Sequence, residues 1–370
     1  MVHSRWPVLS IAVPAGSVLL AGAINLTEGF AFREPIWVEF VVPLVATCVL
    51  LVTVFIVLHH AEIVAVRIGE PYGTLLLTIA VTTIEVSIIL SMMLHAENNP
   101  SLARESVFST VMIVCAGVVG LCLTLGGWRH RQQELKRQGT SAFLATLIAL
   151  TVLTLVLPDF TLGAGPGRFT SVQLAFVSFL SLLLYAGFMF AQTIRHRNDF
   201  VEETLPSGVD SESKNESITA TVLHAGLLFI GLIGIVLLAE DVAKAAENSL
   251  AAMKIAQADA IIGALIATLV LLPEAVSAIR AALNNELQRS LNVALGSALA
   301  TIGLTIPAVA VGSLLTGREL TLGLSPGDMV LLVLILAIST QSFGTGRTTM
   351  LTGIVHLVVF VAYLMLIVIP

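Results

Sequence analysis

Two glutamates stand alone in apolar stretches that are long enough to cross a membrane. Glu85 is the only charged residue in the stretch 72–94, and Glu274 is the only one in the stretch 260–279. A carboxylate at the centre of a bilayer costs about 2.5–3.5 kcal/mol on insertion scales, and such residues usually serve a function. Because each half of the chain carries one, we interpret the two as a shared buried site for a cation or a proton.

Paired glutamates have the chemistry that exchange of a cation for protons requires. Carboxylates supply hard oxygen ligands for Ca²⁺ or Na⁺. Burial favours the protonated form of a carboxyl group, and a second carboxylate nearby favours it further for one of the pair. Such a pair can hold protons at neutral pH and release them when a cation binds. The alternative is structural, in which each glutamate pairs with a buried arginine or stays protonated between helices, but neither stretch contains Arg or Lys.

Hydroxyl groups and a proline accompany the two glutamates. Thr82 and Thr78 precede Glu85 at spacings that share its helix face, so they can ligate a cation or bond to the helix backbone. Pro273 directly precedes Glu274 and removes a backbone donor. The carbonyl that this frees one turn earlier is either a cation ligand or part of a simple kink.

Two serines and two further glutamates complete the candidate set. Ser109 and Ser297 follow the two central glutamates at nearly the same distance along the chain, among small residues. They can add hydroxyl ligands to the site, or they can simply let helices approach closely. Glu62 and Glu240 lie at the ends of predicted spans, where they are candidates for a proton pathway or plain interfacial carboxylates.

The composition places these residues in a polytopic membrane protein. Of the 370 residues, 56% are hydrophobic and 11% are charged, whereas soluble proteins have about 25% charged residues. The net charge of −6 argues against nucleic acid as a partner. Cys48, Cys115 and Cys122 lie in apolar segments without metal-ligand spacing, so we interpret them as small buried residues. We expect no cofactor, and the expected partners are transported cations, protons and the lipid bilayer.

A membrane-length hydropathy window predicts an all-α fold with eleven transmembrane helices. The spans cover residues 7–25, 36–58, 72–95, 103–127, 141–158, 170–194, 218–240, 256–281, 289–315, 327–343 and 349–369. The polar segment 195–217 is acidic and is interpreted as a solvated linker, with a cytoplasmic cation sensor as the alternative. With the N-terminus in the cytoplasm, about twelve Lys and Arg lie inside and about six outside, as the positive-inside rule expects.

The spans form two repeats when the two central glutamates are superimposed. Each glutamate is followed by two asparagines, then an arginine, and then a span with a serine. The residues concerned are Asn98, Asn99, Arg104 and Ser109 in one half and Asn284, Asn285, Arg289 and Ser297 in the other. Spans two to six therefore correspond to spans seven to eleven. Because five is an odd number, the second repeat is inverted, which is typical of secondary transporters.

This arrangement predicts four parts of the chain. They are an extra N-terminal helix with its loop (1–35), a first five-helix repeat (36–194), an acidic cytoplasmic linker (195–217) and a second five-helix repeat (218–370).

Two segments resemble the repeats of calcium/proton exchangers in the cation/Ca²⁺ exchanger superfamily. The first is HAEIVAVRIGEPYGTLL at 60–76, which leads to Glu85, and the second combines LNN at 283–285 with NVALGS at 292–297. The resemblance covers nearly the whole chain, and within the superfamily the chain most resembles the bacterial ChaA-type calcium/sodium–proton antiporters. It implies a bacterial inner-membrane protein that works by alternating access, with Glu85 and Glu274 binding cation and proton in turn.

One departure from the family pattern bears on the cargo. The family usually has Gly-Asn four and three residues before each glutamate, where this chain has Val81-Thr82 and Val270-Leu271. The amide ligands of those asparagines are therefore missing. The resemblance implies export of Ca²⁺ in exchange for H⁺, and the departure leaves Na⁺ or K⁺ as alternative cargoes.

Other functional classes lack their motifs in this sequence. The His-Glu-x-x-His signature of metalloproteases is absent, and so is the Gly-rich nucleotide loop of a pump. We therefore expect that this protein is not an enzyme. An intramembrane protease and a non-transporting membrane scaffold are the alternatives from other classes.

Overall fold

The computed structural model describes residues 6–28, 36–68, 72–95, 100–162, 164–200, 218–252 and 257–369. Over these residues the chain forms eleven helices and one pair of short strands. The helices are α1 (Trp6–Glu28), α2 (Ile36–Ile68), α3 (Tyr72–His95), α4 (Leu102–His130), α5 (Arg137–Phe160), α6 (Ser171–Arg195), α7 (Ile218–Ala252), α8 (Ala258–Leu283), α9 (Leu287–Thr316), α10 (Pro326–Gly344) and α11 (Met350–Val368). The strands are β1 (Gln132–Glu134) and β2 (Arg347–Thr349), which pair antiparallel.

The predicted all-α polytopic membrane fold is confirmed, with eleven helices among the described residues. Among the described residues, nine helices are long and apolar enough to cross a membrane, and α1 and α3 contain the shorter apolar segments Ser10–Leu26 and Ile79–Leu90. Every predicted span corresponds to one helix. A bilayer offers no partner for backbone N–H and C=O groups, so each apolar stretch must satisfy them within its own helix.

Two helices are longer than predicted. We expected α2 to end at residue 58 and α7 at residue 240, but they continue to Ile68 and Ala252. The hydropathy falls after these points, yet helix-breaking residues begin only at Gly69 and Pro71 after α2. Glu62 and Glu240 therefore lie within helices and not at their ends.

Four helices within the described residues contain a π-helical turn. These turns are Ile113–Val118 in α4, Val152–Val156 in α5, Ala191–Arg195 in α6 and Thr301–Thr305 in α9. The turns of α4 and α9 lie in the middle of their helices, and each begins four residues after a predicted site serine, Ser109 or Ser297. A π turn widens the helix locally and is often found at functional sites.

The chain divides into two compact units. Unit 1 comprises Met1–His95 and Leu205–Ala258, and unit 2 comprises Ala96–Thr204 and Asp259–Pro370. Unit 1 therefore holds α1, α2, α3 and α7, while unit 2 holds the other helices and the strand pair. Each unit takes helices from both predicted repeats, and the repeat boundaries stay a prediction. The part of the acidic linker at 201–217 lies outside the described residues.

Helix α7 is the central element of unit 1. It packs against α1, α2 and α3, and α2 also contacts α1 and α3. Two glycines allow close packing, because a Cβ at Gly231 would meet Val57 of α2 and a Cβ at Gly234 would meet Ser17 of α1. Of the three cysteines that we interpreted as buried, Cys48 on α2 is instead exposed. The residues on all sides of this part of α2 are mostly apolar, so no hydrophobic periodicity indicated which face is exposed.

Helix α4 is the central element of unit 2, with 89% of its membrane-length window buried. Helix α11 runs antiparallel along it, and glycines line the contact. A Cβ at Gly117 would meet the ring of Phe360, one at Gly120 would meet Leu357, and one at Gly353 would meet Thr124. The strand pair continues this contact, since β1 follows α4 and β2 precedes α11.

Helices α4 and α9 contact each other reciprocally. The segment Leu102–Met112 of α4 contacts the π turn of α9, and the segment Leu287–Ala300 of α9 contacts the π turn of α4. An exchange of equivalent parts is what a two-fold relation between two elements produces. This contact supports the predicted equivalence of the two helices in an inverted repeat.

Hydrogen bonds between connecting segments join the helices of unit 2 at both ends. At one end, Thr321 N–H donates to Pro100 O over 2.9 Å, and Leu322 and Gly323 N–H donate to Gly167 O over 3.0 and 2.9 Å. At the other end, His130 Nε2 donates to Leu283 O and Gln133 Nε2 donates to Ala282 O, each over 2.9 Å. Unit 2 is therefore braced at the start and at the end of α4.

Candidate functional site

Glu85 and Thr82 lie together on the buried face of α3 in unit 1. Their side chains are 5% and 6% exposed, and a three-residue spacing puts them on the same helix face. Thr83 is exposed and donates to Ile79 O over 2.7 Å, so this neighbour bonds to its own helix. Thr78 belongs to the same helix, but its side chain lies outside the described side chains.

Glu274 lies on α8 in unit 2 and is partly buried beside the buried Pro273. Proline has no N–H, so the carbonyl of Leu269 loses its helical donor at this point. In both central glutamates one carboxylate oxygen is buried, Oε1 of Glu85 and Oε2 of Glu274. The two residues belong to different units, and their joint action stays a prediction.

The two predicted serines belong to unit 2 and differ in their surroundings. Ser109 on α4 is 1% exposed, and its Oγ accepts a hydrogen bond of 2.7 Å from the Tyr363 hydroxyl. Ser297 on α9 is partly buried, next to Gly296, which faces Phe143. Both serines stand four residues before a π turn, but Ser109 is buried and bonded to Tyr363 whereas Ser297 is only partly buried.

The two candidates for a proton pathway belong to unit 1. Glu62 is exposed on α2. Glu240 is partly buried on α7 and forms an ion pair of 2.7 Å with Lys244, four residues later. This spacing is the usual one for a charge pair on a helix surface. The pathway role of both residues stays a prediction.

One buried carboxylate in unit 2 was not among the residues predicted from the sequence. Glu105 on α4 is 7% exposed. Arg104 donates from Nε to Glu105 Oε1 over 3.0 Å and from Nη1 to the carbonyl of Gly323 over 2.8 Å. Because Glu105 follows an arginine near the predicted start of its span, the sequence made it look like a solvated interfacial charge. Its position one turn before Ser109 was the available signal.

Two buried polar residues of the last helix were also not among the predicted site residues. His356 and Tyr363 on α11 are 0% and 1% exposed. His356 Nδ1 donates to the carbonyl of Cys115 over 2.7 Å, within the π turn of α4. The seven-residue spacing of His356 and Tyr363 in an otherwise apolar helix places them on one face. That spacing was the signal that could have found them.

One polar cavity among the described residues lies apart from these candidates. A cavity of about 560 Å³ at the strand end of unit 2 is lined by Gln132, Glu134, Asn285 and Arg347. Its two charged residues form an ion pair of 2.8 Å. Within the described part of the chain, no group of three or more His, Cys, Asp or Glu is placed to hold a metal ion.

The fold and these residues define a polytopic membrane protein with lone carboxylates inside membrane-length helices, which is the arrangement of ion transporters. The chain belongs to the sodium/calcium exchanger protein family, whose sequence pattern matches residues 38–194 and 223–369. These two ranges lie within the two predicted repeats. The resemblance to the cation/Ca²⁺ exchangers that the sequence motifs indicated is therefore confirmed.

Two curated relatives match most of the chain. The y4hA protein of Sinorhizobium fredii (strain NBRC 101917 / NGR234), whose name places it among ionic transporters, is 45% identical over 318 residues, which is 86% of each chain. The sodium-potassium/proton antiporter ChaA of Escherichia coli (strain K12) is 36% identical over 330 residues, which is 89% of each chain.

Solved structures share the fold. Native YfkE aligns with a TM-score of 0.69 at 18% identity, over 98% of this chain and 100% of that one. The H⁺/Ca²⁺ exchanger CAX aligns with a TM-score of 0.67 at 14% identity, over 95% of this chain and 87% of that one. At these identities the alignments show a common fold.

Proposed function

We propose that this chain is a secondary active antiporter that exports a cytoplasmic cation in exchange for protons. The observation that carries the proposal is the pair of carboxylates, Glu85 and Glu274, each with one buried oxygen in a membrane-length apolar helix. Membership of an exchanger family supports the proposal, as does the 36% identity with an antiporter that exchanges cations for protons. The proposed location is a bacterial inner membrane, with the N-terminus in the cytoplasm.

The proposed mechanism is competition between cation and protons for the two carboxylates. Protons from outside neutralise Glu85 and Glu274. With both carboxyl groups neutral, the change of the protein to its inward-facing state costs little free energy. A cytoplasmic cation then displaces the protons, because it supplies the positive charge that the ionised carboxylates need in a medium of low dielectric constant. Rocking of the inverted repeats returns the loaded site to the outside. Thr82, Thr78, Ser109 and Ser297 are proposed to add hydroxyl oxygens to the cation.

A monovalent cation, Na⁺ or K⁺, is the cargo that the observations favour. The positions where the family carries asparagine amides hold Thr82 and Leu271 here, so both amide oxygens are missing and only the Thr82 hydroxyl can replace one of them. Ca²⁺ takes six to eight oxygen ligands, so the loss weighs more against Ca²⁺ than against a monovalent cation. The name of the ChaA relative points the same way. Ca²⁺ is the second candidate, because two carboxylates match its charge.

Everted membrane vesicles with an imposed pH gradient test this function. Addition of Na⁺, K⁺ or Ca²⁺ to separate samples should dissipate the gradient for the transported cation. Glu85→Gln and Glu274→Gln should each abolish the response, because glutamine keeps the size of the side chain and cannot exchange a proton. Glu319→Gln is the matched control, since Glu319 is exposed and paired with Arg168. Full activity of both central variants would refute the site, and failure of every cation would refute antiport.

A further inference from the structure

The last helix bonds to α4 at two buried points. Tyr363 Oη donates to Ser109 Oγ over 2.7 Å, and His356 Nδ1 donates to the carbonyl of Cys115 over 2.7 Å. Both side chains leave α11 on the face that packs against α4, and both are almost completely buried. Burial of a polar group costs free energy unless the group forms a hydrogen bond. These two bonds therefore fix α11 to α4 in one register.

The bond from Tyr363 determines how Ser109 presents its oxygen. A serine in a helix commonly turns its hydroxyl to the carbonyl four residues earlier, and the group rotates freely about its Cβ–Oγ bond. Here the tyrosine hydroxyl occupies one lone pair of Oγ and leaves the other for a further partner. The tyrosine ring is itself held by Phe108, edge to face at 5.7 Å, and by Phe360 at 6.2 Å.

The bond from His356 holds the π turn that follows Ser109. A carbonyl only accepts, so His356 carries its hydrogen on Nδ1 toward Cys115. Its Nε2 lies 3.1 Å from Ser342 Oγ on α10 and accepts from that hydroxyl when the ring is neutral. The π turn Ile113–Val118 is thus bonded to α11 through His356, and Ser342 of α10 holds the ring that makes this bond.

We propose that Tyr363 is a positioning residue for cation exchange, which acts by fixing the Ser109 oxygen as a ligand of the transported cation. His356 supports the same ligand by holding the π turn at Cys115. This inference rests on the proposed function, because it requires Ser109 to be part of the exchange site. It adds α11 to the elements on which that site depends.

Tyr363→Phe is the decisive variant, because it removes one oxygen and keeps the ring contacts. In the vesicle assay, the cation concentration for half-maximal exchange should rise about five- to tenfold, which corresponds to the loss of one hydrogen bond. The maximal rate should change less than twofold. In a Ser109→Ala background the same change should have no further effect, because the tyrosine acts only through the serine.

Tyr185→Phe is the matched control. Tyr185 is a buried tyrosine at a corresponding position of α6, the predicted repeat partner of α11, and it packs against Gly303 of the other π turn. Its half-maximal cation concentration should equal that of the wild type. An equal rise in Tyr185→Phe and Tyr363→Phe, or additive effects of Tyr363→Phe and Ser109→Ala, would overturn the inference.

Two variants at His356 distinguish a role in positioning the ligand from a role in stability alone. His356→Asn keeps an N–H donor close to the position of Nδ1 and should restrain the rise in half-maximal concentration, whereas His356→Leu should not. A fall in maximal rate and thermal stability, without a change in half-maximal concentration, would overturn the inference. If Glu85→Gln and Glu274→Gln abolish exchange while Tyr363→Phe behaves as the wild type, only this inference fails. If those two variants exchange normally, the proposed function fails first.

Discussion

Gly263 is the point at which α8 approaches the backbone of α4. A Cβ at this position would lie 2.9 Å from the carbonyl carbon of Glu105 and 2.9 Å from the amide nitrogen of Ser106, where ordinary contacts begin at 3.4 Å. Both obstacles are backbone atoms of a buried helix, so no side-chain rotation can relieve the overlap. We predict that Gly263→Ala forces the two helices apart by about 0.5 Å.

The magnitude follows from two opposing effects. Overpacking of a dense interior costs about 1–3 kcal/mol, and replacing glycine by alanine inside a helix returns about 1 kcal/mol. Gly263→Ala should therefore lower the free energy of unfolding by about 0–2 kcal/mol. Gly296→Ala is the control, because the nearest atom to its Cβ is Cε1 of Phe143 at 3.9 Å. It should be stabilising by about 1 kcal/mol, since only the helix effect remains.

Denaturant unfolding of the two purified variants in the same detergent measures this difference. We expect Gly296→Ala to exceed Gly263→Ala by about 1–3 kcal/mol in stability. Exchange should also slow in Gly263→Ala, because this residue lies about three turns before Glu274 on the same helix. Equal stabilisation of both variants would refute the close approach of α4 and α8.

Two further predictions concern buried polar pairs, and unfolding in detergent tests both. Arg104→Met should lower the free energy of unfolding by about 3–5 kcal/mol, because it leaves the carboxylate of Glu105 buried without its cation. Glu105→Gln should lower it by only about 1–2 kcal/mol, since glutamine still accepts from the arginine. Equal losses in the two variants would contradict a buried ion pair. His60 Nδ1 lies 2.8 Å from His224 Nδ1 in unit 1, so His224→Leu should cost about 1–3 kcal/mol. The exposed His59 is the control, and an effect of His59→Leu as large as that of His224→Leu would show that the contact adds nothing.

The course of the chain through the membrane was predictable because one physical rule governs it. Any stretch of about twenty apolar residues must form a helix in lipid, whatever its neighbours are. The ends of α2 and α7 escaped prediction, because a hydropathy window reports only the apolar part of a helix and both helices continue past it, to Ile68 and Ala252. The π turns and the strand pair depend on tertiary partners. The stretches Gln132–Glu134 and Arg347–Thr349 are too short to indicate strands until the fold places them side by side.

A residue of the candidate site was predictable only where it is the single charged residue in a long apolar stretch. Glu85 and Glu274 are single charges in long apolar stretches, so their cost in lipid points to a function. Burial of the Glu105 carboxylate has a comparable cost, but Glu105 does not stand out in the sequence because Arg104 is next to it. Tyr363 was missed because a tyrosine near the end of an apolar helix is usually explained as an anchor at the membrane interface.

The two predicted repeats are similar in packing around α4 and α9, but among the described residues a hydrogen bond from a tyrosine is seen only to Ser109 and not to Ser297. Helix α11 packs along α4 and its π turn, and α6 packs along α9 and its π turn. In the first pair the tyrosine hydroxyl bonds to Ser109; in the second, Tyr185 meets the π turn through its Cβ and ring atoms at Gly303. The packing is similar because it depends on shape, which a glycine and an aromatic ring supply at both contacts, Gly117 with Phe360 and Gly303 with Tyr185. A hydrogen bond depends on single atoms, so the two halves of an exchanger can diverge there without disturbing the fold.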